Sequence, residues 1–310
     1  MSESAVAGSE TLPEILAAPG PVPALRRRVL VTGAMGMLAM DLAPILAAGG
    51  LEVFGRPRSD LDVTDEGDVA RAFHDVKPDV VVNCAAFTRV DACEGDPRAM
   101  EVNAGGVERL ARHCIRHGAQ LVQISTDFVF DGAKRSPYTE EDAPAPISAY
   151  GRSKRSGEEA ALRVPNGLVV RASWLFGAGG WNFVEAILKQ VEEGKPRLTV
   201  VADQRGRPTA TTDLSEAILA LLQGGALGTY HFANGGEVTW HEFAGVIVRL
   251  AGRGDVAIDP TDAATLGRPA PRPAYSVLDT SKYERVTGRP IRHYTEALAE
   301  YLSRRGRIQA

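Results

Sequence analysis

The sequence predicts an α/β protein with a doubly wound parallel sheet and a smaller mixed α/β lobe in its second half. Two observations lead to this fold class. Short runs of valine, leucine and isoleucine alternate with helical patterns over residues 29–173, and the connections between them are short. These runs also lack the polar alternation of a half-exposed strand, so each strand is expected to be covered on both faces.

The strands and helices follow in order along the chain. Apolar runs predict strands at 29–31, 51–55, 78–83, 120–125 and 168–173. Helical patterns follow the first strand up to Gly49, the second up to about Val76, and the third near 97–117. The second half mixes helices at 183–193, 214–222, 240–250 and 295–302 with short extended pieces. One of these pieces, near 228–233, is expected to return to the main sheet.

Composition excludes several classes of protein. The 310 residues carry a formal net charge of −4, so no basic excess is available for a nucleic-acid partner. Three cysteines without a CxxC pair indicate neither a disulfide framework nor a structural metal site, and no metal is predicted. No apolar run reaches the ~20 residues that span a bilayer. The Pro/Ala-rich residues 1–25 predict a mobile tail rather than a secretory signal, and a cytoplasmic location is expected.

A glycine-rich turn joins the first strand to the first helix. Gly33-x-x-Gly36-x-x-Ala39 lets the backbone turn sharply and approach a pyrophosphate, while the helix N-terminus offers unpaired N–H groups. The strand–turn–helix context favours a dinucleotide site over an ordinary βα turn. In parallel sheets ligands bind beyond the carboxyl ends of the strands. The turns that follow the other strands should therefore face the same crevice.

The end of the second strand bears on the choice of dinucleotide. An acidic residue at this position binds a free ribose 2′-hydroxyl, whereas a basic residue accommodates a 2′-phosphate. Arg56 is the first polar residue after the predicted strand, and Arg58 follows closely. The pattern favours NADPH, with NADH as the alternative if both arginines are solvated loop residues.

A tyrosine and a lysine four residues apart carry the most specific chemistry. Tyr150 and Lys154 share one face if their segment is helical. A nearby ammonium is expected to lower the pKa of the phenol, which would then exchange a proton with an alcohol or ketone. Ser125, Thr126 and Asp127 end the preceding strand, and a hydroxyl there is placed to hold the same substrate oxygen.

With these residues the chain resembles the extended short-chain dehydrogenase/reductases, whose dinucleotide-binding part has the Rossmann fold. Within them it is most similar to the dTDP-4-dehydrorhamnose reductase family. The resemblance runs from about Val29 to Leu302. It is carried by TGAMGMLA (32–39), ISTDFVFDG (124–132), PISAYGRSK (146–154), RASWLFG (171–177), DQRGRPT (203–209) and RPAYSVLD (272–279).

The resemblance implies a role for each matching residue. Tyr150 would donate the proton, Lys154 would tune it and bind the nicotinamide ribose, and Thr126 would be the third catalytic member. Asp127 and Trp174 would meet the sugar together with Thr126. The implied cofactor contacts are Gly33, Gly36, Met37, Leu38, Arg56, Asp62, Val63, Ala86, Phe87, Thr88, Tyr150 and Lys154.

Other residues depart from the family pattern or have open roles. Phe128 stands where the family often has tyrosine, and Ala39 replaces the third glycine of the turn. Asn103 resembles a structural asparagine on the cofactor side of the superfamily, and Trp240 is predicted to belong to the core. Three arginines are candidates for a diphosphate or, equally, for surface ion pairs, namely Arg205, Arg207 and Arg272.

The implied function is NADPH-dependent reduction of the 4-keto group of a dTDP-4-keto-6-deoxyhexose, most specifically dTDP-4-dehydro-L-rhamnose. The alternatives are a reductase of another nucleotide-activated keto sugar, as in dTDP-dihydrostreptose formation, a nucleotide-sugar epimerase, and a regulatory subunit resembling that of methionine adenosyltransferase. The predicted division is a tail at 1–25, an NADP-binding Rossmann domain at 26–174, and a mainly substrate-binding lobe at 175–310. A nucleotide sugar is the expected partner, and monomer and homodimer both remain open.

Overall fold

A computed structural model describes residues 27–307, and the predicted tail at 1–25 lies outside the described residues. The α/β fold class is confirmed: a parallel sheet forms the centre, with helices on both faces. The strands are β1 (Arg28–Thr32), β2 (Glu52–Arg56), β3 (Val80–Asn83), β4 (Gln120–Thr126), β5 (Leu168–Ala172), β6 (Leu175–Phe176), β7 (Arg197–Val201), β8 (Arg205–Gly206), β9 (Thr209–Ala210), β10 (Gly228–Phe232), β11 (Val238–Thr239) and β12 (Ala257–Thr261).

The α-helices alternate with the central strands and then dominate the second half. They are α1 (Met37–Ala48), α2 (Glu66–Val76), α3 (Arg98–Met100), α4 (Val107–His117), α5 (Ala149–Leu162), α6 (Phe183–Glu192), α7 (Thr211–Gln223), α8 (Trp240–Leu250), α9 (Ala263–Leu266), α10 (Ser281–Thr287) and α11 (Tyr294–Arg304). Short 3₁₀ turns lie at Ala92–Glu94 and Asp127–Val129, and a π-helical segment lies at Glu101–Gly106.

The central sheet has six parallel strands in the order β10-β5-β4-β3-β1-β2. Strand β10 pairs along its whole length with β5, so the segment near 228–233 does join the main sheet. The registers align Thr32 with both Arg56 and Asn83, and Thr126 with Ala172. The carboxyl ends of these strands therefore form one edge, where the turns predicted to carry function come together.

Alternate residues of each central strand pack into different cores. Val29 and Val31 of β1 face the core made with α1 and α7, whereas Leu30 faces the core made with α2, α4 and α5. Because both faces are covered, the strands need apolar residues at every position, which explains the unbroken runs in the sequence. A separate core joins α6, α8 and α11 in the second half of the chain.

The predicted helix at 97–117 is interrupted. Residues Glu101–Gly106 form a π-helical segment between α3 and α4, and this segment contains the pair Gly105-Gly106. A Cβ atom at Gly106 would lie 2.7 Å from a methyl carbon of Val63, so the segment packs closely on the turn that precedes α2. The sequence pattern predicts the helical rise but not this local widening, which is set by tertiary packing.

Across residues 27–307, none of the helices is both long and apolar enough to cross a bilayer. Within the same range, no cluster of three or more His, Cys, Asp or Glu side chains is arranged to hold a metal ion. His113, whose spacing from His117 suits a metal, instead bonds through Nε2 to Glu66 at 2.8 Å.

Candidate active site

The glycine turn approaches the neighbouring strand end more closely than any side chain would allow. Gly33 has φ +62°, and a Cβ atom there would lie 2.9 Å from both Cα and N of Ala85. Gly36 is the N-cap of α1 and has no side chain, so no capping side chain accepts from the N–H groups in the first turn of the helix. This bare helix N-terminus beside a close backbone turn is suited to a phosphate group.

A cleft of about 250 Å³, which we call the glycine-turn cleft, opens at this edge. It brings together six of the twelve predicted cofactor residues, from three separate parts of the sequence. Its predicted members are Gly33, Gly36, Asp62, Val63, Ala86 and Phe87. Thr88 lines the adjoining cavity, while Met37 and Leu38 form the first turn of α1. The Leu38 side chain is buried in the core, so only its backbone is available to a ligand in this cleft.

The two arginines at the end of β2 differ in position. Arg58 lines both the glycine-turn cleft and the adjoining cavity, whereas Arg56 ends the strand and its carbonyl accepts from Ala34 N at 3.1 Å. Arg58 also donates to Asp62 Oδ2 at 3.1 Å. Although burial opposes it, hydrogen bonds from Thr64 and Arg58 lower the pKa of Asp62. Arg58 is thus the guanidinium that faces the cleft.

Asn103 holds the floor of the glycine-turn cleft in place. Its Oδ1 accepts from Phe87 N at 2.8 Å, and its Nδ2 donates to Phe87 O at 3.0 Å and to Ser153 Oγ at 2.9 Å. The buried amide therefore ties the loop that follows β3 to helix α5. Asn103 lies in the π-helical segment, and such irregular turns often occur at functional sites.

Helix α5 carries the predicted tyrosine and lysine on one face. Ser148 caps the helix by accepting from Gly151 N at 3.1 Å. The predicted helical spacing is present, and Lys154 is buried. The Tyr150 ring packs edge-on against Phe128, with centroids 5.5 Å apart. The phenol and the ammonium thus both point toward the carboxyl edge of the sheet.

Lys154 is fixed at the centre of this edge. Its Nζ donates to Ile124 O of β4 at 2.6 Å. Burial lowers the pKa of Lys154 to about 8, the nearby Glu158 carboxylate opposes that shift, and Cys84 lies near the same ammonium. Cys84 lines the glycine-turn cleft, so the ammonium lies beside that cleft. Burial also raises the pKa of the Cys84 thiol to about 12, which keeps it protonated.

The predicted effect of Lys154 on the pKa of Tyr150 is wrong. The sequence predicts that the ammonium lowers the pKa of the phenol, but burial raises the pKa of Tyr150 above its usual value. A hydrogen bond with Thr126 opposes this shift, whereas the charges of Asp127 and Cys93 add to it. The reason is that burial removes the phenolate from water, while the Lys154 ammonium is directed to a backbone carbonyl.

Thr126 and Asp127 form a short hydrogen-bonded chain at the end of β4. Thr126 Oγ1 donates to Asp127 Oδ1 at 3.1 Å and accepts from Phe128 N at 3.2 Å. Ser276 Oγ donates to Asp127 Oδ2 at 2.5 Å from the second half of the chain. Burial raises the pKa of Asp127 to about 6, although the bonds from Ser276 and Thr126 oppose the shift.

A larger cavity of about 630 Å³, which we call the tryptophan cavity, lies next to this chain. Trp174 and Trp240 line it, and their rings stack with centroids 3.5 Å apart and 7° between the planes. Trp240 is predicted as core; it does pack on the core of the second lobe, but it also faces the cavity. Phe128 and Ser276 line the same cavity, and they contact Tyr150 and Asp127, respectively.

The backbone conformation of Trp174 and the neighbouring Gly206 determine where the indole ring lies. Trp174 has φ +49°, which is uncommon for a large side chain and costs conformational energy. A Cβ atom at Gly206 would lie 2.6 Å from the indole, so this glycine gives the ring its place. The sequence signal is present in the DQRGRPT motif, but only the structure reveals what its glycine touches.

The three candidate diphosphate arginines have different surroundings. Arg272 lines the tryptophan cavity but pairs with both carboxylate oxygens of Asp91 at 2.9 Å. Arg205 lies 3.8 Å from Glu237 and 3.4 Å from Glu242, as in a surface ion pair. Arg207 donates to Thr280 at 3.4 Å. Sequence reasoning missed Arg268, an exposed arginine that lines the cavity.

The parallel sheet, the glycine-turn cleft and the Tyr150–Lys154 face of α5 define an α/β dinucleotide-binding protein of the extended short-chain dehydrogenase/reductase type. Comparison with known proteins then gives the family. The chain belongs to the family described as RmlD substrate binding domain, whose model matches residues 27–306.

Individual proteins that are similar to this chain support the same family. The chain is 44% identical over 283 residues to a dTDP-4-dehydrorhamnose reductase of Streptomyces griseus, covering 89% of this chain and 93% of that protein. It is 40% identical to a dTDP-4-keto-6-deoxy-D-glucose reductase of Streptomyces niveus, covering 88% and 96%. The structure matches a Bacillus anthracis dTDP-4-dehydrorhamnose reductase solved with NADP at a TM-score of 0.86 and 34% identity, covering 90% and 100%.

Proposed function

We propose that this protein reduces the 4-keto group of a dTDP-4-keto-6-deoxyhexose with NADPH, and that its substrate is dTDP-4-dehydro-L-rhamnose. The observation that carries the proposal is that the Tyr150 and Thr126 hydroxyl groups are linked to both sites: Lys154, on the helix face of Tyr150, lies beside the glycine-turn cleft, and Phe128, which contacts both Tyr150 and Thr126, lines the tryptophan cavity. A dinucleotide in the first and a sugar in the second would meet at these hydroxyl groups. The relatives described above support the same reaction class.

The glycine-turn cleft fits a dinucleotide. At Gly33 a Cβ atom would collide with the backbone of Ala85, so glycine permits the tight turn that a pyrophosphate would approach, and the first turn of α1 provides N–H groups. Asp62 and Val63 line the same cleft and would contact the adenosine, and Arg58 would offer its charge to a 2′-phosphate. Lys154, beside Cys84, would bind ribose hydroxyl groups. The chemistry that bound NADPH supplies is hydride transfer.

The chain's own residues handle the proton. The carbonyl carbon receives the hydride, and Tyr150 gives its proton to the carbonyl oxygen, so that the ketone becomes an alcohol. The raised pKa of Tyr150 keeps the phenol protonated near neutral pH, which is the form that a proton donor needs. Thr126 donates a second hydrogen bond to the same oxygen when it turns from Asp127, 3.1 Å away. The phenolate then regains its proton from solvent.

The tryptophan cavity supplies an apolar wall for the deoxyhexose. Stacking on Trp240 and contact with Gly206 fix the Trp174 indole, and a fixed ring orients the sugar at little entropic cost. Arg268 carries a charge to the mouth of the cavity, where a diphosphate would lie. Arg272 is a weaker candidate, because Asp91 already takes both arms of its guanidinium.

The first experiment measures the loss of nicotinamide absorbance when purified protein is mixed with NADPH and dTDP-4-dehydro-L-rhamnose. We expect steady oxidation and a dTDP-L-rhamnose product. A reductase of another keto sugar would instead oxidise NADPH only with that sugar, such as dTDP-4-keto-6-deoxy-D-glucose or the precursor of dTDP-dihydrostreptose. A regulatory binding subunit would oxidise none, and an epimerase would change the sugar without net oxidation.

The first prediction concerns the proton donor. Tyr150→Phe keeps the ring that packs on Phe128 but removes the phenol hydroxyl that would donate the proton, so kcat should fall at least ~100-fold. The dissociation constant for NADPH, measured by fluorescence, should change little. Tyr294→Phe, in the core of the second lobe, is the control and should keep full turnover. A Tyr150→Phe variant with more than a few per cent of the wild-type kcat would refute the assignment.

A further inference from the structure

A buried ion pair lies one helical turn beyond Lys154. Glu158 of α5 is fully buried, and Arg171 of β5 is 2% exposed. Arg171 Nε donates to Glu158 Oε1 at 2.7 Å, and its Nη2 donates to Oε2 at 2.8 Å. Replacing such a pair by uncharged residues often leaves stability unchanged, because desolvation cancels the attraction. Stability alone therefore gives little reason for these charges.

The surroundings hold Arg171 in one orientation. Its Nη1 lies 3.3 Å from His231 Nε2, and its guanidinium lies 5.1 Å from the Phe130 ring centre. Burial lowers the pKa of His231 to about 3, so this imidazole is neutral and accepts from Arg171. Arg155 adds a second donor to Glu158 Oε2 at 3.1 Å. The carboxylate is thus fixed on the face of α5 that also carries Lys154.

Several groups from the packed elements could set the charge state of Lys154. The titratable or charged groups near it are Tyr150, Arg155 and Glu158 on its own helix, Cys84 after β3, Asp127 after β4, Arg171 on β5 and His231 on β10. Cys84, Tyr150 and His231 are uncharged near neutral pH. The carboxylate of Asp127 acts on Tyr150 rather than on Lys154. Glu158 is then the anion that compensates the buried ammonium.

We propose that Glu158, oriented by Arg171, is a positioning residue that keeps Lys154 an ammonium ion in its buried place beside the glycine-turn cleft. This inference rests on the proposed function only for the use made of Lys154; the charge relationship itself belongs to the folded chain. Without Glu158 the ammonium would face burial with a single carbonyl partner, Ile124 O. A neutral amine would bind ribose hydroxyls and phosphate less well.

The test reads the charge of Lys154 directly. The chain has six lysines, Lys77, Lys134, Lys154, Lys189, Lys195 and Lys282, and of these six only Lys154 is buried. The ¹⁵Nζ and ¹³Cε resonances of lysine-labelled full-length protein are followed against pH, and the Lys154 signal is assigned by its loss in Lys154→Arg. We expect the titration of Lys154 to move down by about one unit in Glu158→Gln.

Two further variants keep the test decisive. Glu158→Gln leaves Arg171 buried without its partner, so Glu158→Gln/Arg171→Met removes both charges and should fold even if the single variant does not. A smaller downward shift than in Glu158→Gln is expected there, because removal of the Arg171 cation offsets part of the loss of the Glu158 carboxylate. Glu159→Gln is the matched control: Glu159 is exposed, pairs with Arg155 at 3.1 Å and should leave Lys154 unchanged. An unchanged or raised titration midpoint in the double variant would overturn the inference.

A second readout separates this inference from the proposed function. The NADPH dissociation constant, measured by fluorescence across pH, should begin to rise at a lower pH in Glu158→Gln than in wild type. Glu158→Asp keeps the charge and should restore most of the wild-type profile. If the resonances shift as expected but no keto sugar is reduced, the proposed function fails and the charge relationship stands. If wild type reduces the sugar but Lys154 titrates in both Glu158 variants at the same pH as in wild type, the proposed function stands and the charge relationship fails.

Discussion

Tyr150 and Lys154 share a helix face, but burial changes their proton affinities in opposite directions. The phenol pKa is raised and the ammonium pKa is lowered to about 8. Both shifts have the same cause, because removal from water penalises whichever form is charged. For a ketone reductase this places a protonated phenol at the oxygen, which suits donation. The opposite reaction, alcohol oxidation, would need the phenolate and should be favoured only at high pH.

At the residue scale, the two arginines at the end of β2 predict which cofactor the protein prefers. Arg58 faces the glycine-turn cleft, so Arg58→Gln should raise the NADPH dissociation constant about tenfold and leave that of NADH nearly unchanged. Both constants are measured by fluorescence titration. The loss is specific because only NADPH carries the 2′-phosphate.

The matched variant for this prediction is Arg56→Gln. Arg56 ends the paired part of β2 and contributes its carbonyl to the glycine turn, so removing its guanidinium should have the smaller effect. If Arg56→Gln weakens NADPH binding and Arg58→Gln does not, then Arg56 binds the 2′-phosphate, as the order of residues after the strand suggests, and Arg58 does not.

A second prediction at this scale concerns Gly206. In Gly206→Ala the new methyl group would lie 2.6 Å from the Trp174 indole, which is also held by its stack on Trp240. The ring must shift, so KM for the nucleotide sugar should rise by about tenfold or more, with the NADPH dissociation constant unchanged. Steady-state kinetics measure the first and fluorescence the second. An unchanged KM would mean that the indole does not contact the sugar.

At the element scale, two glycines of helix α5 allow it to pack closely against the backbone of neighbouring segments. A Cβ atom at Gly157 would lie 2.2 Å from Asn103 O, and one at Gly151 would lie 2.2 Å from Phe128 O. Both obstacles are backbone atoms, which cannot rotate away. The close approach lets Asn103 reach Ser153 and Phe87 together. The glycines of α5 therefore set the depth at which Tyr150 and Lys154 lie.

The prediction for this element is that Gly157→Ala destabilises the fold by ~1–3 kcal/mol, because α5 must move away from the π-helical segment. Urea unfolding followed by circular dichroism measures the change. Gly245→Ala in α8 is the control: its Cβ meets nothing within 4 Å, so helix propensity should stabilise it by about 0.5–1 kcal/mol. Equal effects of the two substitutions would contradict the packing argument.

At the scale of the whole molecule, the hydrogen bond from Ser276 to Asp127 joins the two halves of the chain at the site. The acceptor follows β4 of the main sheet, and the donor lies on the loop that also carries Arg272. The predicted division at residues 174 and 175 stays a prediction. The second half also supplies α7 and β10 to the main sheet and its core, so the chain crosses between the lobes more than once.

The Asp127 carboxyl predicts a pH-dependent stability. Its folded-state pKa is raised to about 6, so its contribution to stability is present below the unfolded value near 3.8 and is lost as pH rises through 6. Asp127→Asn cannot ionise and keeps the acceptor for Ser276. Relative to wild type it should gain about 2–3 kcal/mol between pH 4 and pH 7. Urea unfolding at several pH values measures this, and a constant difference across pH would contradict the raised pKa.

The local signals in the sequence predicted much of the molecule. Unbroken apolar runs located the central strands, because a strand covered on both faces needs apolar residues at every position. Tyr150 and Lys154 lie on one helix, as their spacing predicts, and the glycine turn lies at the carboxyl edge of the sheet, where parallel strands end together. The π-helical segment was missed, because its geometry depends on packing against Val63 and α5 rather than on local propensity.

By itself, the sequence determined the fold class, the order of strands and helices along the chain, and the residue types available for proton transfer. These follow from short-range periodicity and from groups near one another in the chain. The tertiary structure alone decided which charges are buried and which residues meet across long separations. Ser276 reaches Asp127, Gly206 makes room for Trp174, and Arg171 orients Glu158. The physical reason is that desolvation and side-chain contact depend on the packed neighbours, which no local pattern specifies.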